Sequence, residues 1–317
     1  MCMEQLRIEE LVRQKVTLEN EIQKLLFGSV EKRVRDNKTY AYLHRREDGI
    51  NVTKYLGEYS EQLGDTVTRD TVTAKNIMHK LKDIRKQLSE LNYVEEELSE
   101  KVANNIDFVR RHLVDTVYKL AVLEGIATTY ADTETILEGG KINNMTPKDI
   151  QKIVNLKHAW EFVLNKYVIT SKLDFDIIAE INRLVEESFY YNAGKVRSVP
   201  VSIGGTDYKP PLPIESVIRE EVKEILRQNI SDEDKAISIM LYLMKRQIFI
   251  DGNKRTAVIC ANHIFISHGL GLISIPDKKT EEYKKLLIDY YEHNKDKGEA
   301  ELIKFIKDFC IIRLKLV

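Results

Sequence analysis

Apolar side chains recur along residues 4–25 at Leu11, Leu18, Ile22 and Leu25, a four-then-three spacing interrupted at Lys15 that predicts a helix with a narrow apolar seam. The spacing returns at Ile77, Leu81, Ile84, Leu88, Leu91 and Leu98, with mostly charged residues between them. Two such helices about fifty residues apart pair most simply as an antiparallel hairpin, each covering the other's seam. The stretch between them alternates instead. SVEKRVR, a turn at Asp36-Asn37, TYAYLHRR, a turn at Asp48-Gly49 and INVTKYLG read as a small β unit at about residues 28–58.

Beyond residue 103 the pattern is helical, and several starts are marked. Thr146 followed by Pro147 is a cap with proline at the first helical position, and Ser231 with Asp234 resembles a capping box. Further helices are predicted near 105–136, 173–188, 214–228, 254–268, 280–294 and 299–315. The exception is VRSVPVSIGGTDY at 196–208, where β-branched residues flank Gly204-Gly205 and predict a hairpin, ended by the prolines of PPLP. The chain thus divides into 1–102, a helical hairpin carrying the β unit, and 103–317, a mainly α domain.

Composition narrows the class little further. Among 317 residues, 49 Lys and Arg balance 50 Asp and Glu, so no overall charge favours a polyanionic or polycationic partner. Cys2, Cys260 and Cys310 are odd in number and far apart, which argues against a disulfide framework or a zinc site and suits a reducing cytoplasm. No apolar run is long enough to span a bilayer, and the charged start does not read as a signal peptide. Lys32, Arg33, Arg35, Lys38, Arg45, Arg46 and Lys54 interleave with Tyr40 and Tyr42 in a way that suits nucleic acid. Alternating charge on short strands is more often a solvated face, and the sequence favours that reading.

The segment with chemical content is Ile248-Phe249-Ile250-Asp251-Gly252-Asn253-Lys254-Arg255-Thr256, a loop that feeds a helix. Opening amides of a helix lack internal partners and lie at the positive end of its dipole, which suits phosphate. Gly252 permits close approach, Asn253 tolerates a left-handed conformation, Lys254 and Arg255 add cationic donors, and Asp251 suits Mg²⁺ held between phosphate oxygens. Read from the residues alone, the segment is equally a turn with a cap and a solvated first turn.

This stretch resembles the core motif of Fic proteins, H-x-F-x-D-G-N-x-R, with Phe249, Asp251, Gly252, Asn253 and Arg255 matching in order and Asn262 also typical. GKVRSVPVSIGGTDYKPP at 194–211 is similar to that family's β-hairpin flap, with Val201, Ile203, Gly204 and Gly205 at its centre. Glu134 to Gly139, together with the helix around Trp160, looks like the family's inhibitory helix and its successor. The resemblance covers roughly residues 110–270 and implies a Fic-type helical bundle that transfers AMP from ATP to a protein hydroxyl, or phosphate in the Doc-type branch. It further implies ATP or another nucleotide and a target protein as partners, Mg²⁺ at Asp251, phosphates on Gly252, Asn253, Lys254 and Arg255, nucleotide contacts from Phe249 and Asn262, and an inhibitory Glu138.

The sequence departs from that pattern at two places. The histidine expected two residues before Phe249 is Gln247, whose amide orients a hydroxyl or water but does not accept its proton. The second arginine, three residues after Arg255, is Val258, which brings the chain closer to the Doc-type branch. Glu138 then has Arg255 or Lys254 as its remaining partners, or is a surface residue. The expectations are therefore a transferase-derived nucleotide-binding protein, or a catalytically silent module with the same fold. A homodimer through the heptad seams is also open.

Overall fold

The computed structural model describes residues 3–47, 50–93, 97–292 and 297–314. The chain forms two compact units, Met1–Glu95 and Glu96–Val317. It is mainly helical, with a small antiparallel sheet.

In the first unit, α1 (Met3–Gln23) and α2 (Glu61–Glu90) enclose strands β1 (Ser29–Arg35), β2 (Lys38–Glu47) and β3 (Ile50–Glu58) in sequence. The helices run antiparallel: Arg7 Nη2 donates to Gln87 Oε1 at 3.3 Å near one end, and the Leu26 amide, just past α1, donates to Asp70 Oδ2 at 2.9 Å near the other. On α2 the seam holds Val67, Ala74, Ile77, Leu81, Ile84 and Leu88. It therefore begins ten residues before the predicted start, and the helix ends before Leu98. Asn92, with φ +50°, closes it. On α1 the seam comprises Leu11, Val12, Lys15 and Val16, so Lys15 is a buried member of the seam rather than its interruption. Its methylene stem supplies apolar area as Leu would. The sheet is a meander in the order β1-β2-β3, with a bulge at Ala41/Tyr42. The turn expected at Asp48-Gly49 and Cys2 lie outside the described residues.

The second unit contains α3 (Glu100–Arg111), α4 (Leu113–Leu123), α5 (Tyr130–Leu137), α6 (Pro147–Val163), α7 (Lys166–Thr170), α8 (Phe175–Val185), α9 (Glu215–Arg227), α10 (Asp232–Arg246), α11 (Asn253–Ser267), α12 (Thr280–Glu292) and α13 (Lys297–Phe305). The single helix expected over 105–136 is thus three. It breaks at His112, and again where Gly125 takes φ +77° and Thr129 accepts the Asp132 amide at 3.1 Å to start α5. The predicted caps form, with Thr146 Oγ1 accepting the Asp149 amide and Ser231 Oγ the Asp234 amide, each at 3.1 Å. The helix expected over 299–315 stops early: a wide turn at Ile306–Cys310 leads into β5 (Ile311–Ile312), which pairs with β4 (Leu272–Ile273).

Helix α11 lies at the centre. Every residue from Arg255 to Ile266 is buried, against α3, α6, α7, α8, α10 and β4. A helix whose middle is apolar on every side has no face to give to water and becomes the core. Two polar residues inside it do structural work. His263 Nε2 meets the Val168 carbonyl at 2.8 Å, and burial pushes its pKa down to about 4, so the ring stays neutral. Asn262, placed at the nucleotide by resemblance, is instead fully buried: its Nδ2 donates to the Val258 and Ile273 carbonyls at 2.9 Å, and its Oδ1 accepts the Ile273 amide at 2.8 Å. Both ends of the amide are consumed in holding β4. No described helix is long and apolar enough to cross a membrane.

Replacing Asn262 by Ala leaves the Ile273 amide buried without its acceptor, so unfolding stability should fall by about 3 kcal/mol. Urea titration of both proteins checks this, and a loss below measurement error would place the residue outside the core network.

Candidate functional site

The loop between α10 and α11 is shaped by two left-handed residues. Gln247, at the end of α10, has φ +46° and ψ +57°, and Gly252 has φ +74°. Left-handed backbone costs a residue with a Cβ roughly 1–2 kcal/mol, and at Gln247 it is held by Arg197. That arginine, 4% exposed, donates from Nε to the Gln247 carbonyl at 2.6 Å, from Nη1 to the Val199 carbonyl at 2.7 Å, and from Nη2 to the Pro210 and Pro211 carbonyls at 3.3 and 2.8 Å. Its backbone amide adds a bond to the Ile248 carbonyl at 3.0 Å. Burial lowers its pKa from the usual arginine value.

The loop interior closes on itself. Phe249 is 1% exposed and anchors the segment in the core. Asn253 Oδ1 accepts the Phe249 amide and its Nδ2 donates to the Phe249 carbonyl, both at 2.9 Å. The left-handed position expected at Asn253 therefore belongs to Gly252, and Asn253 is the first residue of α11. Its side chain staples the loop through Oδ1 and one of the two Nδ2 hydrogens. At Gly252 a Cβ would lie 2.6 Å from Glu186 Oε1, so only glycine fits there in both space and conformation.

Asn182, on α8 and 1% exposed, connects three pieces. Its Nδ2 donates to the Asp251 carbonyl at 3.0 Å and to Thr256 Oγ1 at 3.1 Å, while its Oδ1 accepts the Gly194 amide at 3.0 Å. Asp251 Oδ1 accepts the Gly252 amide at 2.7 Å, and its Oδ2 receives the Tyr190 hydroxyl at 3.4 Å. The carboxylate is half-buried, with Oδ2 lightly engaged, which suits a hard cation that keeps most of its ligands as water and phosphate oxygen.

Arg255 is 2% exposed. Its Nη2 lies 2.6 Å from Glu186 Oε1 and 3.6 Å from Asp251 Oδ1, and its Nε lies 3.4 Å from Glu124 Oε2. These are charge contacts rather than aligned hydrogen bonds: Nε, Nη1, Glu186 Oε1 and Glu124 Oε1 are buried without a hydrogen-bond partner. Lys254 Nζ reaches Glu124 Oε1 at 3.4 Å. No side chain caps α11, and the amides of Asn253, Lys254 and Arg255 find no acceptor among the described residues. Unfilled helix amides and unfilled guanidinium donors are the groups that an anion with several oxygens can satisfy.

Glu138 does not take part. It is exposed at the end of α5, and the carboxylates against Arg255 are Glu124, Glu186 and Asp251. Glu124 closes α4 and precedes Gly125 as Glu138 precedes Gly139, and spacing alone does not separate the two pairs. Gln247 turns its Nε2 back onto the Met244 carbonyl at 2.6 Å. Val258 is buried and, with Lys119 and Ser274, lines a small cleft.

Residues 196–213 turn at Gly204–Gly205, but no strand ladder forms there among the described residues. The Arg197 guanidinium joins the two arms instead. Val201 and Ile203 are half-buried, Gly204 and Gly205 are exposed, and the outer arm rests on α12 through Thr206 Oγ1 to Glu292 Oε1 at 2.7 Å and a Tyr208–Tyr291 stack at 6.1 Å. Sequence reasoning did not find Glu124, Asn182, Glu186, Tyr190 or Arg197. Only Arg197 leaves a signal, as a lone cation in a β-branched stretch.

A family model described as Fic/DOC matches residues 172–265. Among solved structures, the chain is similar to residues 134–508 of Fic-1 from C. elegans, at 20% identity over 78% of this chain and 73% of that one with a TM-score of 0.52. A Fic domain containing signaling protein from Bacteroides thetaiotaomicron is 19% identical over 70% of this chain and 90% of its own, with a TM-score of 0.54. A Fic family protein from Desulfovibrio desulfuricans is 12% identical over 68% and 74%, with a TM-score of 0.51. Likeness at these identities is likeness of fold. Comparison with curated proteins gives no match.

Burial raises the Glu186 carboxyl from 4.5 to about 7, and the guanidinium of Arg255 only partly offsets it. A carboxyl raised on folding favours the folded state fully below its unfolded value and loses that contribution as pH rises through the folded one. Stability should therefore fall between about pH 4.5 and 7, by about 3 kcal/mol at most, and Glu186→Gln should flatten the decline. Denaturant midpoints across that range test it, and an equally steep decline in the variant would assign the titration elsewhere.

Proposed function

We propose, from the premise that residues 172–265 of this chain form a Fic/DOC domain, that it binds a magnesium–nucleotide at the Phe249–Arg255 loop on a transferase fold that lacks its proton acceptor. The observation that carries the reading is the buried Arg255 guanidinium with two unfilled donors beside three unfilled helix amides. Phosphate oxygens satisfy both sets at once. Arg255 would neutralise phosphate charge from below, the opening amides of α11 would hold equatorial oxygens, and Lys254 would exchange its contact with Glu124 for one to phosphate. Asp251 would hold Mg²⁺ through Oδ2, and the ion supplies neutralisation of charge between phosphate groups.

Glu124 and Glu186 set the cost of entry. Both neutralise Arg255, and a polyphosphate must outcompete Glu124, the longer and weaker contact. Glu186, the shorter contact, stays beneath as a carboxyl that carries its full charge only above about pH 7.

Catalysis is the weaker half. Transfer of AMP, or of phosphate as in the Doc-type branch, to a protein hydroxyl requires that hydroxyl's proton to go somewhere. Gln247 is an amide with its nitrogen committed to Met244. His263, the nearest histidine on the following helix, is fully buried and bonded to Val168. Without a base, transfer should run roughly 10²–10⁴-fold slower than with one. A silent binding module is the second reading, and the orientation of Gln247 favours it.

Calorimetry should register heat when ATP, ADP or GTP is added with magnesium; no heat from any of the three ends the binding claim. Separately, Gln247→His should raise transfer of label from ATP to protein by about 10²-fold or more. Labels on the α- and γ-phosphates distinguish AMP from phosphate transfer. A variant that binds nucleotide yet transfers no faster would remove residue 247 from the chemistry.

A further inference from the structure

We propose that the outward face of the three-stranded sheet in the first unit binds single-stranded nucleic acid through a tyrosine platform edged by cations. Strand register sorts the residues that sequence alone left interleaved. Arg33 pairs with Tyr40, Glu31 with Tyr42, Tyr42 with Tyr55, His44 with both Ser29 and Thr53, Arg46 with Asn51, and Arg35 with Lys38. Paired residues share a face. One face therefore carries Tyr40, Tyr42, Tyr55, His44, Arg33, Arg35, Lys38 and Arg46. The other contributes the buried Ala41 and Leu43 to the unit's core, so the tyrosines are not part of that core.

A merely solvated face needs no aromatic rings. Here three stand together, with Tyr40–Tyr55 centroids at 6.2 Å and Tyr42–Tyr55 at 5.3 Å, and the Arg33 guanidinium lies 4.7 Å over the Tyr42 ring. Tyr55 is 55% exposed. Rings presented edge by edge across a sheet, with a guanidinium stacked among them, accept nucleobase faces without regard to sequence. The charge around them matches a phosphate chain: among the described residues of this face, Arg33, Arg35, Lys38 and Arg46 outnumber Glu31 and Glu58. The Arg33–Glu31 and Lys38–Glu58 pairs, at 2.7 and 3.0 Å, are exposed, and such pairs yield readily to a stronger anion. A nucleic-acid strand supplies a base and a phosphate at each step, which matches rings and cations set side by side on one face.

The test uses the full chain and fluorescence anisotropy with labelled oligo-dT, oligo-U and a duplex of equal length, each roughly twenty nucleotides. Single strands should bind, and raising salt from about 50 to 200 mM should weaken binding about 20-fold, as expected for roughly three phosphate contacts. Tyr55→Ala should weaken it about tenfold, with the circular dichroism spectrum unchanged. Arg35→Glu, at a residue far too exposed to matter for folding, should reduce the salt slope by about one contact. The DNA and RNA arms identify the sugar. Absence of binding at low salt, or binding that neither substitution alters, or duplex binding indifferent to Tyr55, each overturns the proposal.

Discussion

A guanidinium that water does not reach has to be answered by the atoms around it, and much of the second unit is arranged around that demand. Arg255 sits on the first turn of the most enclosed helix among the described residues, 2% exposed. Three carboxylates, from the end of α4, the end of α8 and the loop itself, meet its charge without saturating its donors. Burying a charge without full pairing is expensive, and an otherwise well-packed core does not carry such a residue for stability's sake. The unfinished hydrogen bonding is the feature on which the proposed phosphate ligand rests. It explains why the glycine before it is hemmed in by Glu186 and why the loop is stapled internally by Asn253 rather than left open.

The same demand separates the legible part of this site from the rest. Phe249, Asp251, Gly252, Asn253 and Arg255 are contiguous, and a contiguous motif carries its geometry in its spacing. Helix starts at Thr146 and Ser231 were equally legible, because a cap is a three-residue interaction. Glu124, Asn182, Glu186 and Arg197 reach the loop from three other elements, and nothing local announces where those elements will fold. Glu138 follows from the family resemblance, and nothing local marks Glu124, because an exposed Glu-Gly and a buried one look alike as letters. Asn262 lies on the correct helix but faces β4, and the stapling of the loop by the Asn253 side chain is not visible in the sequence, because an amide that bonds its own loop uses the same atoms as one that bonds phosphate.

In the first unit the hydrophobic spacing was a good guide to pairing and a poor one to extent. The α2 seam continues through Ala74 to Val67, small and β-branched residues that weaken the periodic signal, so the helix starts far ahead of the first clear leucine-type position. Lys15 illustrates the converse, a charged letter whose stem belongs to the seam. Alternation located the strands. Which alternate residues face outward depends on pairing register, and that required the fold.

The clamp formed by Arg197 has a consequence for variation in the loop it closes. One side chain, through Val199, Pro210, Pro211 and Gln247, holds both ends of the segment 200–209 and fixes residue 247 at the same time. Because the ends are tied by a guanidinium rather than by a ladder of strand bonds, the arc between them has no register to preserve. Its length can drift through insertion and deletion at a closure cost of only about 0.6 kcal/mol per doubling. A lineage can therefore retailor the outer arc for a new surface while the backbone beside the loop stays in place.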